Sequence, residues 1–212
     1  MSCCPSDQKF DGSSVAYRRA LWAVIFINLV MFVVEISAGF ASGSQSLKAD
    51  ALDFAGDTMT YTISLLVIGS ALAVRAKAAL FKGGLLFAIA IAVLSMTLLR
   101  AFSGEPPVAE TMGIVGFAAL LANAISVLIL LKWRDGDANV RSVWLCSRND
   151  AIGNVGVMIA GGLVALTGSA WPDLILAFVL AGIFTRSAWS ICSQALAELR
   201  SRSHPIAETG DA

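Results

Sequence analysis

Six apolar stretches constrain this chain more than any other feature, because a helix needs roughly 20 apolar residues to cross the hydrocarbon core of a bilayer. Cut at their turn signals, they run over approximately 20–40, 47–74, 78–102, 110–133, 142–167 and 172–196. The segments between them, AGFASGSQS, VRAKAALFKGG, SGEPPVAE, KWRDGDANVRS and LTGSAWPD, supply the Gly, Pro and charge that end helices. The weakest boundary lies between the second and third, where Arg75, Lys77 and Lys82 are the main interruption. A chain of 212 residues with 57% hydrophobic and 14% charged residues and a mean hydropathy of +0.77 is not an ordinary soluble domain. The expected fold is all-α: a polytopic membrane protein with six transmembrane helices over 20–196, flanked by an N-terminal tail 1–19 and a short tail 197–212. AELRSRSHPIAETGDA is too short and polar to bury a core of its own.

Charge sets the expected orientation. Lys9, Arg18 and Arg19 precede the first span, Arg75, Lys77 and Lys82 follow the second, Lys132, Arg134 and Arg141 follow the fourth, and Arg186, Arg200 and Arg202 end the sixth. These positions fall on one side, and positively charged loops stay in the cytoplasm, so both termini are expected there. The formal net charge is zero, which leaves no basic excess to recruit nucleic acid. The polar start MSCCPSDQKFDGSSVAYRRA has no basic stretch leading directly into a cleavable apolar core, so no signal peptide is expected. Cys3, Cys4, Cys146 and Cys192 form no spacing framework for disulfides, which fits a reducing compartment.

Against this background the stretch DALDFAGD is out of place. Asp50, Asp53 and Asp57 are spaced i, i+3 and i+7, which puts them within about 60° of one helix face. A carboxylate at the bilayer centre costs roughly 2.5–3.5 kcal/mol and should face the bundle interior or a water-filled cavity. Asp50 is near the helix start, where capping of backbone N–H groups is an equally good reading. Asp53 and Asp57 lie deeper; their purely structural role would be pairing with a base from another span. In the fifth span, WLCSRNDAIGNVGVMIAGG places Cys146 and Asp150 at i and i+4, the spacing of Asp53 and Asp57. Two helices each presenting such a pair supply four side chains to one point, as a four-coordinate metal site requires.

SLKADALDFAGD resembles the second span of cation diffusion facilitators, where His or Asp, three residues and Asp form half of a transport site. LCSRNDAIGNVGV resembles the fifth, where the other half is usually His, three residues and Asp. NLVMFVVEISAGFASGSQSL in the first span and WPDLILA opening the sixth extend the likeness over nearly the whole chain. The resemblance implies six membrane helices, export of a divalent transition metal from the cytoplasm in exchange for protons, and a homodimer in a bacterial inner membrane. It maps the site onto Asp53, Asp57, Cys146 and Asp150, with Asp50 and Asn154 as possible accessories. Cys146 stands where the family usually has His, and the cytoplasmic metal-binding domain that commonly follows the sixth span is not expected here.

Three carboxylates and one thiolate suit Zn²⁺ first, with Cd²⁺ or Co²⁺ as alternatives, better than Mg²⁺ or Ca²⁺. The thiolate favours Cd²⁺, or even Hg²⁺, compared with a histidine. The metal is expected as substrate, and no organic cofactor is implied. Fully ionised, the four ligands total −4, so a dication leaves −2, and metal and protons should compete for the site. Alternating access would then follow from rocking of one helix group against another. Gly153, Gly156, Ala160, Gly161 and Gly162 permit close helix packing, with or without a hinge.

Arg148 points away from Cys146 and Asp150 by helical geometry, toward Glu35, Asp50 or the cytoplasmic surface. Asn154, one turn beyond Asp150, is a candidate donor to a ligand carboxylate, while Asn28 and Asn123 are candidates for joining helices. Cys3 and Cys4, with Asp7 and His204, make at most a weak capture site, and Cys192 reads as packing. Two functions compete: an exporter, and a membrane sensor or interaction protein that binds metal without moving it. An intramembrane enzyme is disfavoured by the lack of HExxH and by a single histidine, His204, in the tail.

Overall fold

The computed structural model of the chain describes residues 14–70, 72–102, 105–135 and 138–203. Six long helices account for nearly all of them: α1 (Val15–Ser42), α2 (Gln45–Leu66), α3 (Leu72–Ala101), α4 (Ala109–Leu130), α5 (Ala138–Thr167) and α6 (Trp171–Ser203). A single 3₁₀ turn, Leu131–Trp133, extends α4. The all-α polytopic expectation holds. Five helices carry stretches long and apolar enough to cross a membrane, and α2, loaded with Asp, Thr and Ser, is the exception.

Local chemistry explains where the helices start and stop. Ser14 caps α1 by accepting from the Tyr17 amide at 3.2 Å, and Ser44 caps α2 by accepting from the Leu47 amide at 3.1 Å. Gly43 makes the turn between them at φ 76°, which most residues avoid. The boundary after α2 departs from expectation. The helix ends at Leu66 rather than near 74, and the chain turns through Gly69 at φ 79°, so backbone freedom, not the charge of Arg75, Lys77 and Lys82, ends it. α1 begins before 20 and α6 continues past 196, so parts of both expected tails are helical.

α1 shows the inside-out patterning of a membrane bundle. Trp22 and Phe26 are 57% and 66% exposed, while Asn28, Glu35 and Ser42 on the other face are buried. Apolar surface turned outward and polar groups turned inward match lipid as the surrounding solvent.

Packing divides the bundle into two groups. α3 packs mainly on α6, α4 on α5 and α1 on α2, with α1 also touching α4. One core cluster joins Tyr17, Leu21, Tyr61, Leu130 and Val143 from four helices at the end where α1 begins. Another joins Ala49 of α2 to Ile89, Ala90 and Val93 of α3 and to Leu180, Ala181 and Phe184 of α6. Small residues bring helices close where expected only in part. A Cβ on Gly161 would lie 3.0 Å from Met112 Cβ and one on Gly156 3.3 Å from Leu176 Cδ1, whereas Gly153 and Gly162 face open space.

Candidate metal centre

α2, α3, α5 and α6 enclose a cavity of about 650 Å³. Asp50, Asp53 and Asp57 of α2 and Cys146 and Asp150 of α5 all line it. Helical periodicity therefore does what the spacing predicts: each i, i+4 pair presents both members to one space. Asp53, Asp57 and Asp150 are half-buried and Cys146 is exposed, and the surface they expose faces this cavity. Asp150 lies against both Asp53 and Asp57, and Cys146 faces the same carboxylates.

The groups share a cavity without yet closing on one point. Among the described residues, no three His, Cys, Asp or Glu side chains stand at positions that would hold a metal ion. Asp57 is instead engaged by Tyr61, one turn further along α2, whose hydroxyl donates to its carboxylate. Gathering four ligands on one ion therefore requires side-chain rotation, and the Tyr61 contact competes with it.

Several hydroxyls of the polar helix α2 are satisfied from within. Thr58, Thr62 and Ser64 hydroxyls donate to carbonyls four residues back at 2.8, 2.7 and 2.9 Å, which keeps them tolerable at membrane depth. At one end of the cavity, Lys82 Nζ donates to Ser64 Oγ at 2.6 Å, and Gln194 completes a polar lining. At the start of α2, α6 is tied to it by one carboxylate. Asp173 of α6, 1% exposed, accepts from the Ser44 and Ser46 hydroxyls, both at 2.6 Å, and from the Gln45 and Ser46 amides at 2.7 and 3.0 Å.

Several sequence expectations change. Asp50 caps no helix: Ser44 and Asp173 perform that role, and Asp50 is buried beside Glu35. Arg148 pairs with neither Glu35 nor Asp50; it is exposed, lies over the Trp144 ring at 5.4 Å and donates to Asn149 Oδ1 at 3.2 Å. Asn154 is buried with both amide atoms unpartnered, so it donates to no ligand carboxylate. Asn28 bonds within its own helix, to the Val24 carbonyl at 2.8 Å, and Asn123 has no partner, so neither joins helices by hydrogen bonds. Cys192 packs against Gly83 as expected. Cys3, Cys4, Asp7 and His204 lie outside the described residues. Sequence reasoning missed Tyr61, although it repeats the i+4 spacing after Asp57, and it placed Lys82 in a loop.

Comparison with known proteins gives consistent matches. The cation efflux transmembrane domain profile matches residues 21–200. The zinc transporter ZitB of Yersinia pestis is 30% identical over 195 residues, 86% of this chain and 62% of that protein. The metal cation efflux system protein CzcD of Cupriavidus metallidurans is 30% identical over 181 residues, 79% of this chain and 56% of that protein. The cadmium, cobalt and zinc/H⁺–K⁺ antiporter of Bacillus subtilis is 25% identical over 196 residues, 82% of this chain and 61% of that protein. The chain thus spans less than two thirds of the length of each of these relatives.

Proposed function

The chain belongs to the cation efflux transmembrane domain family, and from that premise we propose that it exports a divalent transition-metal cation from the cytoplasm in exchange for protons. The observation that carries this reading is the shared cavity. Asp53 and Asp57 from α2 and Cys146 and Asp150 from α5 line one space that also takes in Lys82 and Ser64. These four residues are the transport ligands in this reading. Zn²⁺ is the first substrate, with Cd²⁺ and Co²⁺ as alternatives, since three carboxylates and a thiolate mix hard and soft donors.

The end bearing Arg18, Arg19, Lys82 and Lys132 faces the cytoplasm, with both chain termini, in a bacterial inner membrane. With that orientation the cavity opens inward and the Asp173 contacts tie α2 to α6 on the outer side, an inward-facing state ready to accept metal. Alternation would move the α3–α6 pair against the other four helices, since the cavity lies on that seam. Metal arriving from the cytoplasm displaces protons from the carboxylates and the thiol, and protons arriving from outside release the metal. Similarity to a zinc transporter and a metal cation efflux protein supports metal efflux, and similarity to the Bacillus subtilis antiporter supports the exchange with protons.

Proteoliposomes loaded with a pH-sensitive dye test this reading. Zn²⁺-dependent proton movement is expected, and it should disappear in Asp57→Ala. Metal binding without any flux in the wild type would overturn the exporter in favour of a membrane metal sensor.

A further inference from the structure

Among the described residues, Lys82 of α3 is the one base that lines the cavity, and the transport reading gives it no role beyond marking the cytoplasmic end. A lysine near a membrane surface ordinarily snorkels, turning its ammonium outward to headgroups and water. Lys82 turns inward. Its Nζ donates at 2.6 Å to the hydroxyl of Ser64, a residue 2% exposed. That hydroxyl spends its own proton on the Thr60 carbonyl at 2.9 Å, so toward Lys82 it can only accept. An ammonium has three donors, and among the described residues Ser64 is its only hydrogen-bond partner. It forms no ion pair with a described carboxylate. The charge is therefore not neutralised by contact, and it faces Cys146 and Asp57 across the cavity. Ser64 follows Asp57 by about two turns of α2, roughly 10 Å along the axis, so the ammonium is held near the ligands and not among them.

We propose that Lys82 supplies a positive charge that weakens metal binding at Asp53, Asp57, Cys146 and Asp150 and so keeps the ion releasable. The inference rests on the transport reading of those four ligands. Three carboxylates and a thiolate carry more negative charge than a dication cancels, and an ion held by that excess inside a membrane bundle would leave slowly. Repulsion between the ammonium and a bound dication offsets part of the excess. Transport needs that compromise, because a site must bind firmly enough to load and weakly enough to unload. The hydrogen bond to Ser64 sets the distance at which the repulsion acts.

Zn²⁺ calorimetry on the full chain in nanodiscs, at constant pH and ionic strength, tests it, with stopped-flow release of Zn²⁺ to a chelator alongside. Lys82→Leu should bind about tenfold more tightly than wild type and release the ion more slowly by a similar factor. Lys82→Arg, which restores the charge, should return both to near wild type. Ser64→Ala removes the hydrogen bond and keeps the charge, so it should not reproduce the gain. A gain of equal size in Ser64→Ala would assign the effect to the hydrogen bond and overturn the proposal. So would a gain in Lys82→Leu that Lys82→Arg retains, or one carried by faster binding with unchanged release. Equal affinity in wild type and Lys82→Leu, with Asp57→Ala deficient, overturns this inference alone. Equal affinity in wild type and Asp57→Ala overturns the metal centre, and this inference with it.

Discussion

Asp173, in the first turn of α6, accepts a 2.6 Å hydrogen bond from the hydroxyl of Ser44, the residue that caps α2. The same carboxylate takes the Ser46 hydroxyl and the Gln45 and Ser46 amides, so one buried side chain serves as a second cap for α2, supplied by another helix. Charge-assisted bonds of this kind are worth about 1.5–3 kcal/mol each, and losing the anion leaves buried donors unmet. Asp173→Ala is expected to destabilise the chain by about 3–5 kcal/mol, with Asp173→Asn milder because an amide still accepts. Urea unfolding of the protein in mild detergent reads the difference. A loss below about 1 kcal/mol for the alanine variant would mean that water or a neighbouring group replaces the carboxylate.

The Tyr61 hydroxyl donates to one carboxylate oxygen of Asp57, so it competes with a metal ion for that oxygen in this conformation. Tyr61→Phe keeps the buried ring in its cluster with Tyr17, Leu21 and Leu130 and removes only the donor. Freed of a hydrogen bond worth about 0.5–1.5 kcal/mol, the site should bind Zn²⁺ roughly 2–10-fold more tightly by calorimetry. Weaker binding would instead show that Tyr61 orients Asp57 for the metal.

The proposed ligand set was legible in the sequence because Asp53, Asp57, Cys146 and Asp150 are exceptions within apolar runs, and helical geometry fixes where i and i+4 point. The six-helix architecture was legible for the same reason: bilayer thickness translates directly into segment length. Contacts between remote residues were not. Nothing local to WPDL announces that Asp173 reaches Ser44, a partner 129 positions away. Asn123 and Glu35 read as single polar residues in spans α4 and α1, and only the packing of α1, α2 and α4 shows that both are buried. The break after α2 was misplaced because three bases are more conspicuous than Gly69, although the turn depends on the φ that glycine permits.

Cys146 distinguishes this donor set from one built of nitrogen and oxygen alone, and the thiol has the cavity-facing exposure a ligand needs. Replacing it with histidine removes the soft sulfur. Calorimetry across Zn²⁺, Cd²⁺, Co²⁺ and Mn²⁺ is expected to show Cys146→His losing affinity for Cd²⁺ about tenfold more than for Zn²⁺, a differential of about 1.4 kcal/mol. A ranking of metals that ignores the substitution would take Cys146 out of the coordination sphere while leaving the three carboxylates in place.

Gly83 of α3 packs directly against Cys192 and Ala188 of α6. A Cβ at this position would lie 2.4 Å from Cys192 Sγ and 3.3 Å from the Ala188 carbonyl oxygen, and the first of these separations is far inside van der Waals contact. Gly83→Ala must therefore push α3 and α6 apart or force Cys192 into another rotamer, at a cost of about 1–3 kcal/mol. Removing the sulfur should relieve most of that strain. The double variant Gly83→Ala with Cys192→Ala is expected to be more stable than Gly83→Ala alone, with a coupling of about 0.5–3 kcal/mol between the two positions. Because the cavity lies between this pair and the rest of the bundle, transport rates in proteoliposomes should fall with the single variant and recover with the double. Additive effects on stability would mean that the backbone near Ala188, and not the thiol, sets the spacing of the two helices.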